Sequence, residues 1–196
     1  MDSDGYLSQL ADIFNGITVN TPSISAIIAI ALAGVLLLAS GFASASEIAF
    51  FSLSPSDRND IDERNHPSDD KISALLGDTE RLLATILITN NFVNVTIIML
   101  CNFFFMNVFV FHSPLAEFLI LTVILTFLLL LFGEIMPKIY SAQKTLAFCR
   151  FSAPGIYFLE KVFRPIATVL VRSTTFLNKH FVKKSHNISV DELSHA

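Results

Sequence analysis

The sequence predicts an all-α membrane protein with three transmembrane helices, followed by amphipathic juxtamembrane helices that form a belt along the membrane. Composition is the first reason, because 53% of the 196 residues are apolar and only 15% are charged. A water-soluble domain of this size cannot bury so much apolar surface, which includes 19 Phe side chains. The other two reasons are three long apolar runs and a one-sided placement of the basic residues.

Three apolar runs, at residues 24–53, 82–111 and 115–135, each reach the ~20 residues that a helix needs to cross a bilayer. Residues 112–114 separate the last two runs, which predicts a tight helical hairpin. The runs contain no basic residue, and their only charges are three carboxylates: Glu47, Glu117 and Glu134. A charge within a membrane span is costly, so Glu134 is expected to have a partner or a role, whereas Glu117 lies near the outer turn and is expected to be solvated.

The segments outside the runs differ in composition. Residues 1–22 are acidic and lack the basic leader of a secretory signal, and they predict an exterior tail. Residues 54–81 are charged and contain two prolines, which predicts a loop with one short surface helix around Ile72. Beyond residue 137 basic and apolar residues alternate, which is typical of helices that lie in the membrane interface, with Pro154 and Pro165 as expected breaks.

Orientation follows from the 13 Lys and Arg residues. None lies in residues 1–22 or 112–114, whereas four lie in 54–81 and nine follow residue 137. The positive-inside rule therefore predicts a multi-pass protein of the cell's inner (plasma) membrane, with its N-terminus outside and its C-terminus in the cytoplasm. The charge pattern shows no nucleic-acid footprint. The two cysteines, Cys101 and Cys149, are expected to be buried free thiols.

Each apolar run carries polar residues at helical spacing. In the first run, Ser40 and Ser44 lie four residues apart and therefore share a helix face. In the second run, the sequence TNNFVN places Asn90 and Asn94 on one face and Asn91 beside them. Three helices with such clusters can bring them to one buried point.

The third run ends in GEIMPK, which adds two kinds of oxygen. Pro137 has no amide hydrogen, so within a helix it leaves the carbonyl of Gly133 without its usual donor. Glu134 adds a carboxylate, and Lys138 follows it one turn later. Hydroxyl, amide, carbonyl and carboxylate oxygens together form a shell that suits Mg²⁺, Ca²⁺ or Na⁺ rather than zinc or copper.

Structural explanations exist for the same residues. A serine in a membrane helix often bonds to the carbonyl one turn back, and Ser46 is an example to consider. Asparagine amides can join neighbouring helices without binding an ion. Glu134 can pair with Lys138 four residues later, and Glu47 can serve as a charge at the membrane edge.

Three motifs in this order resemble the transmembrane domain of the CorC/CNNM family of magnesium transporters. They are SGFASASEIAFFSLS, TNNFVN and GEIMPK, and the resemblance covers about residues 20–180. One departure is Ala45, which stands where many relatives have glycine between the paired serines.

The resemblance implies a homodimer in the lipid bilayer that exports Mg²⁺, driven by Na⁺ entry, from an inward-facing cavity. The expected metal ligands, with Asn94 added from its shared helix face, are Ser40, Ser44, Asn90 or Asn91, Asn94, the Gly133 carbonyl and Glu134. Pro137 and Lys138 are expected to shape the broken helix. The family normally continues into cytoplasmic CBS modules, and ATP is expected to bind only through these.

We therefore expect a tail at residues 1–22, a membrane domain at 23–182, and at 183–196 the start of a linker to CBS modules. The Phe-rich residues 103–111 are a candidate dimer surface. An alternative function is a non-transporting scaffold or regulator of an envelope or motility complex. An enzyme is not expected, because the runs contain no Ser/His or His/Asp pairing.

Overall fold

The computed structural model describes the backbone of residues 18–110 and 114–191, and side chains within 18–110, 117–119 and 121–173. The described chain is helical almost throughout, which confirms the all-α class. In chain order the elements are β1 (Thr18–Val19), α1 (Ile24–Phe51), α2 (Pro55–Asp62), α3 (Asp69–Leu76), α4 (Thr79–Val108), β2 (Phe109–Val110), α5 (Pro114–Leu130), the π-helix π1 (Leu131–Ile135), α6 (Met136–Gln143) and α7 (Thr145–Asp191).

Three helical stretches within the described residues are long and apolar enough to cross a membrane, as predicted. They are α1, α4 and the stretch Glu117–Gln143, which runs through α5, π1 and α6. The third stretch extends beyond the predicted end at residue 135. The predicted turn at 112–114 lies mostly outside the described residues, although Pro114 begins α5.

The first of two compact units comprises Met1–Ser52 and Asn90–Thr145. Within it α1 and α4 are antiparallel: β1 pairs with β2, with Thr18 opposite Val110, and Ser23 Oγ donates a hydrogen bond of 3.3 Å to Asn107 Oδ1. The predicted exterior tail therefore ends in a short strand that is held against the end of the second span.

Helix α1 has two different halves. Its first half packs through Ala33 into an apolar cluster with α4 and α5, which contains Val93, Ile97, Cys101 and Leu125. Its second half contains small buried residues at 40, 41 and 43–46, which allow other helices to approach closely. There Ser141 Oγ of α6 donates a 2.7 Å hydrogen bond to the Ala45 carbonyl.

The second unit comprises Leu53–Thr89 and Leu146–Ala196. Its loop segment contains two short helices, α2 and α3, where the sequence predicted one. Helix α2 begins at a capping box in which Ser54 and Asp57 satisfy each other's backbone amides, followed by Pro55 at the first helical position. These start signals are present in the sequence, and our sequence analysis missed them.

Helix α7 corrects the expectation that prolines break the juxtamembrane segment. It runs from Thr145 to Asp191 with Pro154 and Pro165 inside it, and it continues through most of the segment that was expected to be a linker. A proline removes one helical hydrogen bond, but the helix can continue on both sides of the kink. Both cysteines are free and buried, Cys149 in this helix, which confirms the prediction for the thiols.

Candidate functional site

Ser40 is the centre of the predicted cluster. Its Oγ lies 2.9 Å from Oδ1 of Asn90 and 2.6 Å from Oδ1 of Asn94, and it is the donor to both. A hydroxyl has only one hydrogen, so two amide oxygens share a single proton. The result is a partly buried group of three oxygens that is rich in lone pairs and poor in hydrogens.

The helix geometry selects which asparagines reach Ser40. Asn90 and Asn94 are one turn apart on α4, and the antiparallel packing of α1 and α4 brings that face to Ser40. Asn91 is exposed on a different face of the same helix. The structure therefore brings together Asn90 and Asn94, and it does not place Asn91 in the cluster.

Gly133 adds the third helix to this cluster. A β-carbon placed on Gly133 would lie 3.1 Å from Ser40 Oγ, so any larger residue would crowd the hydroxyl. Gly133 lies in π1, where the Met136 amide donates to the Leu131 carbonyl five residues earlier. Pro137 follows and supplies no amide to the Gly133 carbonyl, as the sequence predicted.

Ser44 lies one helical turn after Ser40 on α1 and is completely buried. Its Oγ has no hydrogen-bond partner among the described residues. An unsatisfied buried hydroxyl costs about 1–3 kcal/mol, so its presence requires an explanation. Ser46 behaves differently, because its Oγ donates a 2.7 Å hydrogen bond to the Phe42 carbonyl one turn back, which is the structural role considered above.

Two carboxylates, one from α1 and one from π1, share one cation. Lys138 Nζ lies 3.1 Å from Oε1 of Glu134 and 3.2 Å from Oε2 of Glu47. The pairing of Glu134 with Lys138 is the intrahelical alternative considered from the sequence. The sequence did not decide whether Glu47 is a charge at the membrane edge or a functional group. In the structure the same ammonium links Glu47 to the third span.

Sequence reasoning missed the role of Gly41. A β-carbon on this residue would lie 3.0 Å from Cγ of Pro137 and 3.4 Å from the Phe132 carbonyl oxygen. The available signal was the group of small residues in SGFAS, whose one glycine permits a close helix approach.

The chemistry of the assembled groups suits a hard cation. Among the residues that the structure describes, no group of three or more His, Cys, Asp or Glu side chains forms a metal cluster. The oxygen-bearing groups that meet here are instead the Ser40 hydroxyl and the amides of Asn90 and Asn94, with the Ser44 hydroxyl one turn away. Such oxygen donors fit Mg²⁺, Ca²⁺ or Na⁺.

The comparisons with known proteins agree with the motifs. The family described as Cyclin M transmembrane N-terminal domain (CNNM) matches residues 30–196. UPF0053 protein sll1254 of Synechocystis sp. is 26% identical over 140 residues, which cover 71% of this chain and 39% of that protein. A UPF0053 protein of Haemophilus influenzae is 29% identical over 136 residues, which cover 69% of this chain and 31% of that protein.

The chain thus spans about a third of the length of these relatives. The family match covers most of the chain, including most of the first candidate span, the other two spans and the three polar motifs. The chain therefore belongs to the CorC/CNNM family of membrane proteins.

Proposed function

We propose that this membrane domain binds and transports divalent cations, with Mg²⁺ as its main substrate. The observation that carries the proposal is the convergence of Ser40, Asn90 and Asn94 beside Gly133. The Ser44 hydroxyl adds an oxygen ligand that has no hydrogen-bond partner among the described residues. A cation that enters between these oxygens would satisfy lone pairs that now compete for one hydrogen.

Magnesium fits these donors for chemical reasons. Mg²⁺ prefers oxygen ligands and binds few carboxylates, and the cluster offers neutral oxygens with one carboxylate, Glu134, at the residue after Gly133. Proline-interrupted membrane helices at mid-span are common ion sites in transporters, because the interruption exposes a backbone carbonyl. The π1 segment before Pro137 is such an interruption.

The direction and coupling in our proposal are Mg²⁺ export driven by Na⁺ entry, and the support is the family resemblance. The basic residues favour a cytoplasmic location for the loop 54–81 and for the segment after residue 137. The proposal includes a plasma-membrane homodimer, and regulation by ATP through CBS modules of a longer protein.

The dimer surface that we propose is part of the Phe-rich stretch 103–111. Phe103 and Met106 are exposed, whereas Phe105 packs against the apolar cluster of the first unit. Only one face of the stretch is therefore available to a partner. Cross-linking in liposomes through cysteines at position 103 or 106 should capture a dimer, and a cysteine at 105 should not.

One observation favours the alternative of a non-transporting scaffold. Lys138 pairs with both Glu47 and Glu134, so the fold offsets part of the negative charge of these two carboxylates without a bound ion. A scaffold with this fold would need no cation, and binding measurements separate the two functions.

The test is isothermal titration of Mg²⁺ into the purified 196-residue chain and three variants. Glu134→Ala and Asn90→Ala should each weaken binding about tenfold or more, the loss that corresponds to about 1.4 kcal/mol for one ligand. Asn91→Ala is the matched control on the exposed face and should bind like the parent. A parent that does not bind, or equal effects of Asn90→Ala and Asn91→Ala, would refute the site.

A positive binding result would then be extended to transport. When the chain is in liposomes, an imposed Na⁺ gradient should drive Mg²⁺ in the direction opposite to Na⁺. An entrapped Mg²⁺-sensitive dye detects this movement. Binding without flux would favour a structural ion and hence the scaffold.

A further inference from the structure

Lys138 is the one basic residue among the described residues 24–51, 82–108 and 117–143, which form the apolar parts of the three candidate spans. It lies between carboxylates from two different helices, at 3.1 Å from Glu134 and 3.2 Å from Glu47. The three side chains are 28–40% exposed, so they line an accessible face rather than a sealed core. The group has one positive and two negative charges.

The position of this group relative to the oxygen cluster is set by helix packing within the first unit. Gly133 approaches Ser40, Gly41 approaches Pro137, and Ser141 bonds to the Ala45 carbonyl. These pairs show that α1 runs parallel to π1 and α6. Lys138 therefore follows directly after the proline that contacts Gly41, and its partner Glu134 follows directly after Gly133.

We propose that Lys138 is a tethered counter-ion that competes with the divalent cation for Glu134, and that Glu47 holds the displaced ammonium. This inference rests on the proposed function, because it concerns the carboxylate of the same site. When Mg²⁺ binds Glu134, the ammonium keeps its contact with Glu47 and neither charge is left alone. Exchange between the two cations then needs a small side-chain movement and no change of protonation.

The exchange also discriminates by charge. A monovalent ion that replaces the ammonium at Glu134 gains no additional Coulomb attraction, whereas a divalent ion carries twice the charge. Lys138 therefore disfavours Na⁺ and K⁺ at Glu134 and is a specificity-determining residue. Its removal should make Mg²⁺ binding tighter and at the same time more sensitive to competing Na⁺.

The experiment is Mg²⁺ titration calorimetry on the full 196-residue chain and its Lys138 and Glu47 variants. Lys138→Met should bind Mg²⁺ about fivefold more tightly, because a partly exposed competitor has been removed. Lys138→Arg keeps the charge and should bind like the parent. Glu47→Gln should bind about threefold more weakly, because the ammonium then pairs with Glu134 alone.

A double variant separates this role of Glu47 from direct ligation. If Glu47 acts only through Lys138, the Glu47→Gln/Lys138→Met protein should bind as tightly as Lys138→Met. A double variant that binds more weakly than Lys138→Met would make Glu47 a ligand and overturn its assigned role. Size-exclusion profiles and thermal midpoints establish that each variant is folded, and Lys138→Gln replaces Lys138→Met if the latter does not fold.

The outcomes also separate this inference from the proposed function. Unchanged or weaker binding by Lys138→Met, with a parent that binds and a Glu134→Ala variant that does not, overturns the counter-ion alone. Absence of binding by both the parent and Lys138→Met overturns both proposals.

Discussion

Gly41 and Pro137 lie so close together that a β-carbon on Gly41 would be 3.0 Å from Cγ of the proline ring. Helices α1 and α6 therefore meet at a residue without a side chain and a residue without an amide. This contact holds Gly133, four residues before Pro137, against Ser40, one residue before Gly41. This close helix approach and the candidate ion site are thus parts of one arrangement.

Gly41→Ala should destabilise the protein, because the rigid proline ring and the Phe132 carbonyl leave little room for the new methyl group. Overpacking of this kind costs about 1–3 kcal/mol, which should appear as a lower thermal midpoint in detergent. Gly34→Ala is the matched control on the same helix, since nothing lies within 4 Å of its added β-carbon. That control should be neutral or stabilising by up to about 1 kcal/mol, because alanine is the better helix former. Equal effects of the two substitutions would contradict the close contact.

Ser44→Ala should affect binding and stability in opposite directions. Removal of the unsatisfied buried hydroxyl should leave the thermal midpoint unchanged or raise it, by up to about 1 kcal/mol of stability. Mg²⁺ binding, measured by calorimetry, should weaken, because the proposed ligand is lost. Ser46→Ala is the control, since its hydroxyl bonds locally to Phe42, and this variant should bind Mg²⁺ like the parent. A Ser44→Ala protein with parental affinity would remove Ser44 from the ligand set.

Pro137→Ala should weaken Mg²⁺ binding about tenfold, equivalent to about 1.4 kcal/mol, because alanine supplies an amide that can bond to the Gly133 carbonyl. The thermal midpoint should not fall by a comparable amount, since the helix gains a hydrogen bond. Pro154→Ala within α7 changes the same residue type in the second unit and should leave binding unchanged. If Pro137→Ala binds normally, the Gly133 carbonyl is not a ligand.

Asp69→Asn should lower the stability of the second unit by about 3 kcal/mol, because it breaks a buried ion pair. Asp69 is fully buried, and its carboxylate accepts two hydrogen bonds from Arg150, at 2.9 and 3.1 Å. Asp70→Asn is the control, because the exposed Asp70 pairs only at the surface with Arg64 and should change stability by less than about 1 kcal/mol. Thermal unfolding of the two variants in detergent compares them directly.

The same pair predicts a pH dependence. Burial raises the pKa of Asp69, but hydrogen bonds from Arg150 and from the His66 amide outweigh it, so the pKa lies below the ordinary value of 3.8. The stabilisation is therefore complete above about pH 4 and is lost as the pH falls through the lower folded-state pKa. The parent should lose thermal stability below pH 4 more steeply than Asp69→Asn. Parallel pH profiles of the two proteins would show that Asp69 does not contribute to this acid sensitivity.

Apolar run length and helical spacing predicted much of the fold. The three spans follow from apolar run length, and the shared face of Asn90 and Asn94 follows from their spacing of one helical turn. The continuity of α7 did not follow, because a proline signals a local loss of one hydrogen bond and not the end of the helix. The predicted end of the third span at residue 135 was too early, because α6 continues past Pro137 and packs against α1.

What the sequence determined by itself is the class of protein and the set of oxygen-bearing residues, since both depend on composition and on spacing along single helices. The tertiary structure decided which of these residues meet. It placed Asn94 with Asn90 against Ser40 and put Lys138 between Glu47 and Glu134. It also left the Ser44 hydroxyl without a hydrogen-bond partner among the described residues. These relations depend on the distance and register between helices, which small residues such as Gly41 set through packing and which no pattern within one helix encodes.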